Sequence, residues 1–237
     1  MLNLAGKGVI YTAITGGKDV LREPRHLLPG VEYVCFTDDP HLTSKAWMVR
    51  LIEFANDDPI LVARRPKLLA HLYLQDFDWS LWIDGNRGIR GDLAPFIGEH
   101  LGLGAFLGFR QYARTCAYQV AEACIELGKD RPEVLLAQVA RYRSLGMPEG
   151  RPVVASGVLL RRHNDPAIIQ TMELWWREVE AGSRRDQLSL PYVLWSHPTD
   201  FHWFYGGGRP YFDELPFLPL RRHAIESSVA SWPVPPA

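Results

Sequence analysis

The residues best suited to chemistry in this chain are Asp84-Gly85-Asn86, which end the apolar run Trp79-Ser80-Leu81-Trp82-Ile83. An aromatic, strand-forming segment that stops at a carboxylate, a glycine and an amide reads as a buried strand delivering polar groups to a sheet edge. Ligands of open α/β sheets bind in the crevice beyond the carboxyl ends of the strands. Asp84 and Asn86, two apart, can both turn hard oxygen atoms toward one Mg²⁺ or Mn²⁺. Gly85 allows a sharp turn and close approach of a ligand. The same trio suits an ordinary Asp-Gly-Asn turn equally well, and taken alone it does not decide.

A second cluster is cationic. Pro66 predicts a helix opening at that position and running through residues 67–74, with Lys67 and His71 one turn apart on one face. Arg64 and Arg65 then fall just before it. Cations at a helix start oppose the helix dipole, but together with the free N–H groups they form an anion site. The alternative is a solvated basic turn. Residues 183–195 predict another helix, shortened or kinked by Pro191. At its start, Asp186 and Gln187 beside a cleft would bind sugar hydroxyls, or would simply cap the helix. Near the C-terminus, Gly206-Gly207-Gly208 between His202 and Arg209 offers amides that could wrap a diphosphate, or a plain surface loop. His163 reads as structural rather than as a metal ligand.

These groups need a scaffold, and the hydrophobic pattern supplies an α/β one. Strands are expected over 9–14, 31–36, 47–52, 79–83, 105–109 and 153–160. Helices are expected at 92–97, 117–127, 132–145 and after 166, besides the two above. A G-x-G-x-x-G fingerprint is missing, which lowers a dinucleotide reading. The length of 237 residues fits one domain over 1–237, with the proline- and glycine-rich stretch 197–237 as a tail packing on the cleft. A net charge of −1 gives no case for nucleic acid, so phosphate binding must come from a local cluster. Three cysteines without zinc spacing, no signal peptide and no apolar stretch of membrane-spanning length lead to a cytoplasmic expectation.

Taken together, residues 11–19 and 35–38, Arg64 with Lys67, residues 82–86, Gly157-Val158 with Arg161 and His163-Asn164, and residues 185–195 resemble a known family. It is domain of unknown function 616, a glycosyltransferase-like domain of bacteria and plants. The resemblance implies a GT-A-like fold, a Rossmann-type mixed sheet flanked by helices that binds a nucleotide-diphosphate sugar. Asp84-Gly85-Asn86 then stands where the Asp-x-Asp metal motif would, with an amide replacing the second carboxylate. The tail more loosely resembles the His-x-x-Gly-x-x-Lys-Pro-Trp segment of glycogenin-like glycosyltransferases, with one residue inserted and Arg209 for lysine. That likeness implies Asp84, Asn86 and His202 as ligands to Mn²⁺ or Mg²⁺, and Arg209 on the diphosphate.

The implied reaction is hexosyl transfer from a nucleotide-diphosphate sugar to a carbohydrate or other hydroxyl acceptor. Thr12, Thr15, Gly16, Gly17, Asp38, Arg64, Lys67 and Arg209 would hold the donor. Ser156, Gly157, Asp186 and Gln187 would meet the sugar or acceptor. Asp84 and Asp186 would be catalytic, Asp186 as the base of an inverting reaction. Two other functions stay open. A nucleotidyltransferase on the same fold usually needs two metals and more carboxylates, and a non-catalytic nucleotide-sugar or carbohydrate-binding module would tolerate the missing second carboxylate.

Overall fold

A computed structural model describes residues 4–207 and 215–219. Its centre is one seven-stranded mixed sheet. The strands are β1 (Gly8–Ile14), β2 (Val31–Thr37), β3 (Met48–Leu51), β4 (Trp79–Ile83), β5 (Phe106–Arg110), β6 (Val154–Arg161) and β7 (Phe201–Trp203). Their spatial order is β3-β2-β1-β4-β6-β5-β7. β3, β2, β1 and β4 run parallel, while β6 is antiparallel to both its neighbours, β4 and β5. The helices are α1 (Pro59–Leu68), α2 (Ala94–His100), α3 (Ala117–Glu126), α4 (Pro132–Ser144), α5 (Pro166–Ala181) and α6 (Asp186–Ser196). The mixed α/β class expected from the pattern is the one observed.

The order of strands fixes where a ligand belongs. From β1 the chain steps to β2 and β3 on one side, then crosses back to place β4 on the other side of β1. That reversal is a topological switch point, and it opens a crevice beyond the carboxyl ends of β1 and β4. Both faces of β4 are covered, as all five of its residues are buried. Side chains alternate across a strand, so Trp79, Leu81 and Ile83 join the core on the α2 face, while Trp82 joins the core beneath α1 and α5. The same alternation turns Asp84 to the α1 face. Along β6 the alternation slips at Gly157: Val154 lies on the α1 face, Ala155 opposite, and Val158 on the α2 face again. The pairing register with β5 shifts at this place. Such a bulge re-aims a side chain, and here it leaves Ser156 on the α1 face.

The helix expected to open at Pro66 begins seven residues earlier. Asp58 accepts a hydrogen bond from the Ile60 amide and Pro59 occupies the first turn, a strong start signal that precedes the basic cluster. Pro66 is tolerated inside α1, whose C-cap at Leu69 follows three residues later. Arg64, Arg65 and Lys67 therefore sit toward the helix C-terminus, where positive charge complements the dipole. Of the 197–237 tail, the described part packs on both faces of the sheet, Phe204, Leu215 and Leu218 on the α2 face and Phe201 and Trp203 against the core beneath α1 and α5.

Candidate active site

Lys67 is the side chain around which the site closes. It is fully buried, and its ammonium lies 3.1 Å from Asp84 Oδ1, 2.6 Å from Asp186 Oδ2 and 3.4 Å from Ser156 Oγ. The Trp82 ring centroid is 5.3 Å away, a further cation–π contact. Ser156 donates to Asp186 Oδ2 at 2.8 Å, and Arg64, one turn before Lys67, reaches Asp186 Oδ1 at 3.1 Å. Two carboxylates and two cations thus close into one network at the switch point, drawn from α1, β4, β6 and α6. The expected place of Lys67 in the first turn of a helix is overturned, because it faces inward from the last turn of a helix packed on the sheet.

The carbonyl of Lys67 is anchored as well. Arg161, fully buried on β6, donates to it at 2.7 Å, and Tyr11 Oη donates at 3.2 Å while accepting from Arg161. Among the described residues no carboxylate pairs with Arg161. Its charge instead meets the negative end of α1, one of whose last carbonyls would otherwise be orphaned.

The charges shape one another. Burial works to raise the Asp186 carboxyl, but Arg64, Lys67 and Arg185 outweigh it and hold it far below the usual carboxylate range. Asp84 shows the same balance: burial raises it, and Lys67, Arg64 and the Trp82 N–H bring it below its ordinary value. Burial lowers Lys67 against the pull of Asp186 and Asp84. Both Asp186 oxygens are engaged, Oδ1 by Arg64 and Oδ2 by Lys67 and Ser156, so this carboxylate orients the two cations.

Above this network lies a cleft of about 210 Å³. Ala13 and Thr15 line it from the end of β1, Pro59, Ile60, Ala63 and Arg64 from α1, and Asp84, Gly85 and Asn86 from the end of β4. Lys18, Asp19 and Arg185 complete its rim. Burial pushes the Lys18 ammonium down, and the neighbouring Arg185 and Arg64 push it further. Cations crowd here against incomplete compensation, which is the electrostatic signature of an anion site. Lys18 and Arg185 are the site residues that the sequence reading passed over. Their clue was the dense basic surroundings of Gly16-Gly17 and Asp186, but no spacing rule links two loops so far apart in the chain.

Other expected residues fall as follows. Gly16 and Gly17 both take positive φ, 60° and 62°, and Asp38 accepts from the Gly16 amide at 2.8 Å, pinning that turn. Thr15 donates to the Pro59 carbonyl at 2.6 Å, tying β1 to the start of α1. Thr12 does not reach the cleft. It turns to the α2 face, buried beside Leu21, Trp47 and Ile83. Ser156 and Gly157 lie under the network, Gly157 accepting the Asp84 amide at 2.9 Å. Gln187 is half-buried on the first turn of α6. His163 is structural as expected, its Nε2 2.7 Å from the Leu74 carbonyl. Arg209 lies outside the described residues.

The expected metal set does not assemble. His202 on β7 pairs in register with Leu107, which aligns through Leu160 with Leu81, mid-strand on β4. It is three strands from Asp84, about 14 Å across the sheet, and it bonds Asp200 instead at 2.7 Å. Among the described residues, no three His, Cys, Asp or Glu side chains converge as a metal site. Asp84 gives Oδ1 to Lys67 and Trp82, and its side chain is 33% exposed. Asp84 and Asn86 line the cleft together, so the end of β4 offers it a carboxylate and an amide. Such a set fits a divalent ion that shares its coordination with substrate phosphates, and it does not form a self-sufficient centre.

Comparison with known proteins adds the following. The family model described as TOD1/MUCI70, glycosyltransferase-like domain, matches residues 4–204. Similar solved structures include apo WbbM, a bifunctional glycosyltransferase, at 12% identity and TM-score 0.45, covering 80% of this chain and 37% of that one. The galactosyltransferase LgtC with donor and acceptor sugar analogues matches at 12% identity and TM-score 0.43, covering 83% and 72%. An active-site mutant of LgtC matches at 10% identity and TM-score 0.46, covering 95% and 92%. The chain thus spans little more than a third of the WbbM chain. None of the curated proteins compared matches it.

Proposed function

The chain belongs to the TOD1/MUCI70 glycosyltransferase-like family, and from that premise we propose that it transfers a hexosyl group from a nucleotide-diphosphate sugar to a hydroxyl acceptor. The observation that carries this reading is the cation-rich cleft at the β1/β4 switch point, where Lys18, Arg64 and Arg185 face the ionised Asp84. In such a reaction the bond between the anomeric carbon and the diphosphate oxygen breaks. Negative charge grows on the leaving diphosphate, and the acceptor oxygen forms the new bond as its proton is lost. Preoriented cations in a recessed site stabilise that growing charge at no cost in reorganisation. Lys18, Arg64 and Arg185 would take this role, with Arg64 held in position by Asp186.

Lys67 keeps Asp84 ionised and fixes its orientation through Oδ1, so the second carboxylate oxygen is presented to the cleft. There it would accept a hydroxyl of the donor or, with Asn86, hold Mg²⁺ or Mn²⁺. A bound ion would add neutralising charge on the diphosphate. Thr15 and the Gly16-Gly17 turn, pinned by Asp38, form the wall on which the nucleoside would rest. Gln187, next to Asp186 at the start of α6, carries both a donor and an acceptor for the sugar.

The test is release of nucleoside diphosphate from a panel of nucleotide-diphosphate sugars, run with Mn²⁺ and in chelator. Release is expected for one donor, and Asp84→Asn should slow it by roughly 10²–10³-fold, the scale of one lost electrostatic stabiliser. Binding of a nucleotide sugar without release, unchanged in Asp84→Asn, would make the protein a sugar-nucleotide-binding module instead.

A further inference from the structure

The turn Asp84-Gly85-Asn86 is held from behind by the residue that follows it. The Arg87 amide donates to the Asp84 carbonyl at 2.9 Å and closes the turn. Its side chain is buried, an environment arginine takes only when its donors find acceptors. It lies on the α2 face, where it borders a small cavity together with Thr12, Ile83, Gly85 and Ile89. Gly85 lines both that cavity and the cleft. The turn is therefore a wall one residue thick between Arg87 and the cleft. It has no room to retreat toward β1, because a Cβ on Gly85 would lie 2.6 Å from Ile14 Cδ1 and 3.0 Å from the Ala13 carbonyl oxygen.

Arg87 grips a segment far along the chain. Its Nη1 donates to the Leu218 carbonyl at 2.8 Å. Residues 215–219 run alongside the loop after β4 in the opposite direction. The Gly88 amide donates to the Pro219 carbonyl at 3.2 Å, and the Arg90 amide to the Phe217 carbonyl at 2.9 Å. Gly91 makes room for Phe217, since a Cβ there would stand 2.7 Å from Phe217 Cβ. Leu215 and Leu218 are buried in the same core as Phe96 and Ile97 of α2, and that burial anchors the segment. Loops at strand ends are ordinarily among the mobile parts of a fold. These contacts remove that freedom from the residues directly after Asn86.

We infer that Arg87 is a positioning residue for the cleft: by tying the turn to residues 215–219 it sets where Asp84 and Asn86 stand, so that docking of this segment and occupancy of the cleft are coupled. That the occupant is a nucleoside diphosphate rests on the transferase reading, whereas the clamp on the turn does not. Polar groups that must be ordered at the moment of binding lose affinity to that ordering, and a turn held on both sides avoids the cost. Coupling between two places in one fold acts in both directions. A ligand that fixes Asp84 and Asn86 should therefore also tighten the segment behind them.

Amide hydrogen exchange, followed residue by residue in the whole protein, tests this with Arg87→Met and Gly91→Ala beside the unaltered chain. Gly91→Ala leaves Arg87 and the cleft lining in place and presses its new Cβ on Phe217. The Gly88 and Arg90 amides report the segment, and the Arg87 amide reports the turn. In Gly91→Ala all three should exchange about fivefold faster or more, the factor carried by one lost hydrogen bond. Uridine, guanosine, adenosine and cytidine diphosphates are then titrated. The one that binds the unaltered protein best should bind both variants about fivefold or more weakly, and it should slow the Gly88 and Arg90 amides of the unaltered protein. An Arg87 amide that exchanges at its original rate in Gly91→Ala would overturn the inference, leaving residues 215–219 a purely structural appendage. Diphosphate affinity unchanged in the folded variants would overturn it as well, and if Arg87→Met does not fold, Gly91→Ala decides alone. Should none of the four diphosphates bind the unaltered protein, the transferase reading alone falls, and the Arg87 amide in Gly91→Ala still decides.

Discussion

Lys67 shows how one residue serves fold and chemistry together. A buried ammonium is costly unless paired, and here two carboxylates and a serine hydroxyl surround it. Replacing it by the similarly shaped Lys67→Met leaves Asp84 and Asp186 to Arg64 and Arg185. Breaking a buried pair in this way costs about 3–5 kcal/mol, so urea denaturation near neutral pH should show a loss of that size. The acid limb carries a second signature. Both carboxyls are held below their ordinary values in the fold. A depressed carboxyl contributes stability that is fully present above its unfolded value, about 3.9, and drains as the pH falls through the folded one. The original protein should keep this contribution down to about pH 4 and lose it below. The gap to Lys67→Met should therefore narrow with acid, and a constant gap down to pH 2 would contradict the network.

At the scale of elements, Asp58 couples the two helices that supply the site. Its Oδ1 caps α1 through the Ile60 amide at 2.9 Å, and its Oδ2 pairs with Arg184 at 2.8 Å, two residues before Asp186. Asp58→Ala removes both and should cost about 1–2 kcal/mol, the range for a lost N-cap plus a part-exposed pair. Asp58→Asn keeps the cap and loses the ion pair, so it should cost less than about 1 kcal/mol. Denaturation midpoints of the two variants separate the contributions, and identical losses would place the whole effect in the charge. This element also explains a failure of the sequence reading. Pro66 reads as a helix start because proline favours the first turn, yet Asp58-Pro59 is the stronger signal and absorbs Pro66 into the helix body.

For the molecule as a whole, the arrangement concentrates positive charge at one edge of a sheet within a nearly neutral chain. Nucleoside-diphosphate binding should then be salt-sensitive through the cleft alone. Thermal unfolding with a nucleoside diphosphate at 100 times its dissociation constant should show about 2.7 kcal/mol of added stability. Salt screens partly exposed charges, so raising it from 0.05 to about 0.5 M at fixed ligand should reduce that gain. The loss should be smaller in Arg185→Gln, which has one fewer cation on the rim. Equal salt response in both would remove Arg185 from the binding surface.

By itself the sequence determined the α/β class, most strands and helices to within a few residues, and the strand end at Asp84. These depend on periodicity and on local stop signals, which short windows contain. Arg64, Lys67, Asp84, Ser156 and Asp186 were all named as site residues from local pattern and resemblance. Only the tertiary structure decided that they form one closed network, that Lys67 is its buried centre, and that Thr12 and His202 stand apart from it. The reason is geometric. Which face a strand residue joins depends on register and on the slip at Gly157, and which strands are neighbours depends on the crossover from β3 back to β4.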